Sequence, residues 1–156
     1  MTAPTASPRE VLARLHRGMS ATTDADHLDD ELWAEDVVVE TPFAPPGRPR
    51  RFVGREQFLT FARAGRAALP VRLEVGKVVV HETTDPDMII TEYELSGTDP
   101  ATGQRASAPF IGVLKVRDGQ IAHWREYQDM LALAAATGQL PDLLAGLQSA
   151  AAAEAV

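Results

Sequence analysis

The chain contains no cysteine. Disulfide staples, thiolate nucleophiles and zinc–thiolate centres are therefore excluded together. Positive charge is also scarce. Against 22 Asp and Glu stand 15 Lys and Arg, a formal net charge of −7 over 156 residues. Phosphate backbones and anionic lipid surfaces demand a clustered positive field, so neither nucleic acid nor a membrane is expected as a partner. The one basic run, Arg48, Arg50, Arg51 and Arg55, lies in a Pro- and Gly-rich stretch and reads as a solvated loop. No apolar run reaches the roughly 18 residues of a membrane span. The opening MTAPTASPRE lacks the basic start and apolar core of a signal peptide, and the cytoplasm is the expected location. There is no GxSxG, no phosphate-cradling glycine loop and no GxGxxG. The four histidines are scattered without an i, i+4 pair. The acids of His27-Leu28-Asp29-Asp30-Glu31 suit a helix start better than a metal, so no metal site is expected.

What is present suits one globular domain. The hydrophobic share is 45%, enough to bury a single core at this length. Arg supplies 13 of the 15 basic residues and alanine is abundant, which suggests a GC-rich bacterial source. Residues 1–6 read as a flexible arm, 7–141 as the domain, and 142–156 as a C-terminal helix and tail.

Ser7-Pro8-Arg9-Glu10 is a helix start, with Ser as cap, Pro in the first turn and Glu three residues after the cap. Val11, Leu12, Leu15 and Met19 then share one face. A second short helix is expected after Asp26, with Leu28, Leu32 and Trp33 apolar. VVVE (37–40) reads as a strand, and PFAPPGRPRR as an extended loop because its prolines bar regular helix. Gly54 opens a third helix. After Pro70 the period changes to two. Four strands joined by HETTDPD, TDPATGQ and RDGQ form an antiparallel meander. LALAAATG is a short helix closed by Gly138. The plan is α+β: a curved antiparallel sheet forming a cone around N-terminal helices. Its interior suits a small hydrophobic molecule.

Potential chemistry concentrates in Arg117–Pro141. A strand there carries Trp124 and Tyr127 and ends at Asp129, where helical spacing takes over. Buried in an apolar cavity, Asp129 would gain a raised pKa and serve as a general acid/base. On the surface it would simply cap the next helix. His16 borders the apolar face of the first helix and is a candidate relay, or else a flank residue. Glu92 and Glu94 alternate with Thr91, Tyr93 and Leu95. Either the Glu face is solvated and the Tyr face lines the interior, or the Glu face supplies a second acid beside Asp129. Glu40 ends the first strand and is a further candidate. Trp33, Phe43, Phe58, Phe61, Tyr93, Phe110, Trp124 and Tyr127 are core or pocket wall, which composition does not separate.

Three strings in order, LWAEDVVVETPFAPPGRPRRFVGREQF (32–58), ELSGTDPATGQ (94–104) and GQIAHWREYQDMLALAAATGQLP (119–141), resemble the SnoaL-like polyketide cyclases of the nuclear transport factor 2-like superfamily. The resemblance runs from about residue 8 to about 141. It implies a cone-shaped α+β fold, a ligand cavity, a homodimer through the open sheet face, and chemistry that needs no cofactor. It also places Asp129 where such cyclases, and limonene-epoxide-hydrolase-like enzymes, carry a catalytic Asp at the end of the last strand. The cyclases have one residue fewer between Trp and Asp, so a bulge is expected here. It is open whether Arg125 and Tyr127, or Trp124 and Glu126, share the face of Asp129. Epoxide hydrolases add an Arg and a second Asp; Glu94 stands near the second acid, and no Arg is present. The two ketosteroid-isomerase carboxylates correspond to Thr41 and a position near Gly112, so that reaction does not transfer. Three readings follow: an acid/base cyclase or isomerase acting on a small hydrophobic carbonyl or polyketide-like compound, an epoxide hydrolase, or a small-molecule binder without chemistry.

Overall fold

The computed structural model describes residues 5–21, 28–69 and 71–155. Helix α1 (Pro8–Ser20) begins with the capping box read from its sequence: Ser7 accepts from the Glu10 amide and the Glu10 carboxylate accepts from the Ser7 amide. Val11, Leu12 and Leu15 form its buried face. Asp26 and His27, where a second helix was expected to start, lie outside the described residues. From residue 28 onward there is only one 3-10 turn, Asp30–Leu32, and Trp33 already belongs to a strand.

The remaining elements are β1 (Trp33–Glu40), β2 (Arg51–Val53), α2 (Arg55–Ala67), β3 (Arg72–Glu82), β4 (Met88–Thr98), β5 (Arg105–Arg117), β6 (Gln120–Gln128), α3 (Met130–Ala136) and α4 (Leu140–Glu154). β1 starts four residues before VVVE because the solvated pair Glu35-Asp36 interrupts its apolar pattern at a register shift. β2 is not expected from the sequence: Arg51 reads as the end of the proline-rich loop, and Phe52 and Val53 fall in no expected element. It is three residues long and holds by pairing with the end of β1. The Asp118-Gly119 turn has both residues at positive φ, 53° and 74°, the backbone that closes a two-residue hairpin.

The six strands form one curved open sheet in the order β2-β1-β6-β5-β4-β3. Every pairing is antiparallel except β1 with β6, which is parallel. α1 packs across β3, β4 and β5, and α2 covers β1 and β2. The core lies between these helices and the inner sheet face, with Val37, Val39, Tyr93, Leu114 and Ile121 buried. α4 has no buried residue. Among the described residues no helix is long and apolar enough to cross a membrane.

One irregularity determines which side chains face inward. In β6, His123 pairs with Lys115 but Ile121 pairs with Val116. Ala122 is therefore the extra residue of a bulge. From there alternation is regular: Trp124, Glu126 and Gln128 face inward, and His123, Arg125 and Tyr127 face outward. The bulge lies before Trp124 and not between Trp124 and Asp129.

Candidate active site

The inner sheet face, α1, the Asp30–Leu32 turn and α2 line a partly open cavity of about 230 Å³. Its walls are mainly apolar and include the rings of Trp33, Phe52, Phe58, Phe61 and Trp124. Four of these rings pack in a chain: Trp33 to Phe58 at 4.6 Å, Phe58 to Phe52 at 6.0 Å, and Phe52 to Phe61 at 4.6 Å. Helical spacing on α2 puts Phe58 and Phe61 on one side. Polar groups in the lining are few. Glu126, Gln128 and Thr41 come from the sheet side, and Arg14 and Asp29 form a half-exposed ion pair of 2.6 Å.

Glu126 is the unusual member. It is one of three buried polar residues among the described residues, 9% exposed. Its Oε2 accepts from the Tyr93 hydroxyl at 2.6 Å and its Oε1 accepts from the Gln128 amide at 2.6 Å. Burial pushes its pKa above the ordinary Glu value. Hydrogen bonds from Gln128, Tyr93 and Trp124 oppose that rise. The same contact acts on Tyr93: burial first, then the Glu126 charge, drive the phenol well above its usual range, so it stays a donor.

Tyr93 is fixed from both sides. Phe110 stacks on it at 5.3 Å with 12° between planes, and the His16 ring lies 4.9 Å away at 51°. His16 Nε2 is buried with no hydrogen-bond partner among the described residues, and burial lowers its pKa. The imidazole is held neutral against the tyrosine ring.

Gly112 sits between Thr91 and Glu126 in one cross-strand row. A Cβ there would fall 2.1 Å from Cη2 of Trp124. The missing side chain is what lets the indole lie flat on β5.

Several expectations are corrected by this arrangement. Glu92 and Glu94 are on the outer face, where Glu92 meets His81 at 2.7 Å and Glu94 meets Lys77 at 2.7 Å. Alternation puts Tyr93 inward and therefore both glutamates outward. Glu40 is outward too, bonded to His123 at 2.7 Å, while Val39 and Thr41 take the inward positions. Phe43 is 62% exposed and packs edge-on against the outward Tyr127 at 5.1 Å. Trp33 and Trp124 are in the cavity wall. Tyr93, Phe110 and His16 form the layer behind Glu126.

Asp129 is exposed, and its Oδ1 caps α3 by accepting from the Ala132 amide at 2.9 Å. With the bulge upstream, Asp129 has the parity of Arg125 and Tyr127, opposite to Glu126. Asp129→Ala is expected to cost about 1 kcal/mol through loss of the cap, whereas Asp129→Asn, an equally good cap, costs little. Urea denaturation of both variants checks this. Equal losses would contradict a capping role.

Glu126 and Gln128 were missed as site residues. The available signal was their period-two spacing from Trp124, which places them on its face. Arg14 was missed because it flanks the apolar stripe of α1.

The geometry defines an α+β cone with one buried carboxylate in an aromatic cavity. A SnoaL-like domain matches residues 12–124, and the chain belongs to that family. An uncharacterized PhzA/B-like protein of Pseudomonas aeruginosa is 37% identical over 101 residues, 65% of this chain and 70% of that protein. Among solved structures, a candidate isomerase from Bacillus subtilis superposes with a TM-score of 0.73 at 27% identity, covering 85% of this chain and 93% of the other. A candidate polyketide cyclase from Xanthomonas campestris gives 0.64 at 22% identity, covering 83% and 95%.

Proposed function

We propose that this protein is an acid/base enzyme acting on a one- or two-ring carbonyl compound, with Glu126 moving the proton. The observation that carries this reading is a buried carboxylate in the wall of a mostly apolar cavity, its pKa raised by that burial. Such a group takes a proton from an acidic carbon and returns it to another carbon or to a new alkoxide. Proton abstraction leaves an enolate, and Gln128 is placed to meet it. Its amide has two N–H donors and uses one on Glu126. Tyr93 does not line the cavity. It orients Glu126, with His16 and Phe110 holding its ring. The isomerase and cyclase named among the structural neighbours both suggest proton-transfer chemistry of this kind.

Size narrows the substrate. An apolar cavity of about 150 Å³ admits benzene. One of about 230 Å³ suits one or two rings rather than a four-ring polyketide. The test is deuterium incorporation from solvent into a panel of one- and two-ring ketones with acidic α-hydrogens, followed by NMR. Exchange well above the buffer rate is expected. No exchange on any of them would overturn the enzymatic reading and leave a binding protein.

The same reading includes a homodimer through the outer sheet face. Phe43, Val79 and Ile111 are exposed apolar residues on that side, at 62%, 48% and 44%. Sedimentation is expected to give twice the chain mass, and Ile111→Glu to give the single-chain mass. A monomeric parent protein would refute this assembly.

A further inference from the structure

We infer that the cavity is shaped for a small organic cation, a protonated amine carried on one ring or a few alkyl groups. This deepens the preceding reading by naming the charge of the ligand, and it rests on the same cavity being the ligand site. Three observations on named residues support it.

First, Glu126 is a buried acid whose hydrogen bonds all come from neutral groups: Tyr93, Gln128 and Trp124. Among the described residues no Lys, Arg or His reaches it as an ion-pair partner. A buried charge without a partner is costly, and one that gains an opposite charge recovers much of that cost. Second, among the described residues the only cation in the lining, Arg14, is taken by Asp29 at 2.6 Å. That pair cancels, so Glu126, when ionised, leaves the cavity one negative charge. Third, five aromatic rings line the same cavity as this carboxylate. Aromatic π-systems attract cations, and alkylated ammonium groups are bound in nature by rings arranged this way. A ring compound that carries an amine beside its carbonyl meets a carboxylate and rings together.

The charge state of Glu126 sets the pH behaviour. Its surroundings are Tyr93 from β4, with the His16 ring of α1 behind it, Trp124 and Gln128 from its own strand, and Arg14 with Asp29. α2 and β1 contribute no titratable side chain to the lining beyond these. Amine binding is strongest where Glu126 is ionised and fades as pH falls through its pKa. Bound amine in turn lowers that pKa.

Both tryptophans of the chain, Trp33 and Trp124, line the cavity, so intrinsic fluorescence reads occupancy. The experiment titrates the full chain with benzylamine and, separately, with benzyl alcohol of the same shape. At neutral pH the amine is expected to bind at least about tenfold more tightly. In Glu126→Gln the ratio is expected to fall to about one while alcohol binding persists, which also reports an intact cavity. If that variant fails to fold, the unmodified protein is titrated from about pH 8 down to the ordinary Glu value. The amine preference should then shrink with pH. Equal affinities, a preference for the alcohol, or a preference that neither the substitution nor pH alters would overturn the inference. Lost amine preference with ketone exchange intact overturns this inference alone. Amine binding with no exchange overturns the enzymatic reading alone.

Discussion

Glu126→Gln is expected to yield a protein more stable at neutral pH and at least about a hundredfold slower in proton exchange, the lower range for losing a general acid/base. The two effects share one cause. Glu126 is buried among rings, and burial holds its pKa above the ordinary Glu value. A group whose pKa rises on folding adds stability that is full below its unfolded pKa and is lost as pH climbs through its folded pKa. That loss is complete above the folded pKa of Glu126. Gln has the same shape, accepts from Tyr93 through its amide oxygen and carries no charge. A gain on the order of 1 kcal/mol is expected, typical of relieving one functional position. At this chain length it appears as a rise of about 2–4 °C in Tm. His16 works in the opposite direction. Burial lowers its pKa, so its contribution is full above the ordinary His value and declines as pH falls below it. His16 is unchanged in the variant, so the difference between the two stability–pH curves isolates Glu126. That difference should widen as pH rises through the folded pKa of Glu126 and close as pH falls below it. A variant that is less stable at neutral pH, or that exchanges protons normally, would remove Glu126 from the role assigned to it.

The helices and the meander were legible because their signals are local. Ser7-Pro8 and Glu10 specify the start of α1 within four residues, and turn chemistry at Asp118-Gly119 fixes one hairpin. The site was less legible because a single residue controls it. Ala122 bulges, and every later side chain of β6 changes face relative to an unbulged strand. The expected bulge was placed after Trp124, where the spacing to Asp129 looked long. Read there, it left the faces of Trp124, Glu126 and Asp129 undecided. The Glu92–Tyr93–Glu94 alternation was readable as a pattern but not as an orientation. What points Tyr93 inward is its contact with His16 and Phe110 across long sequence separations. β2 could not be read because three residues after a proline-rich loop carry no periodicity of their own. They are a strand only because β1 presents a free edge.

Trp124→Ala is expected to cost about 3–5 kcal/mol, the range for deleting a buried aromatic side chain. The indole is 3% exposed and belongs to the core as well as to the cavity wall. Total stability for a domain of this size is about 5–15 kcal/mol, so the variant should fold but melt early. The effect should be coupled to Gly112. A Cβ on Gly112 would lie 2.1, 2.7 and 2.9 Å from three atoms of the indole ring. Backbone pairing on both sides of β5 keeps Gly112 in place, so the ring would have to move. Gly112→Ala alone should therefore cost about 1–3 kcal/mol by overpacking, and the displaced ring should weaken ligand binding in the cavity. In the Trp124→Ala background the same substitution meets empty space, and its cost should fall to within about 0.5 kcal/mol of zero, the limit for independent sites. Urea denaturation of the four proteins measures the coupling directly. If Gly112→Ala costs the same with and without the indole, the close approach is not what requires glycine there. The floor of the cavity would then owe its shape to the backbone of β5 rather than to the Trp124–Gly112 contact.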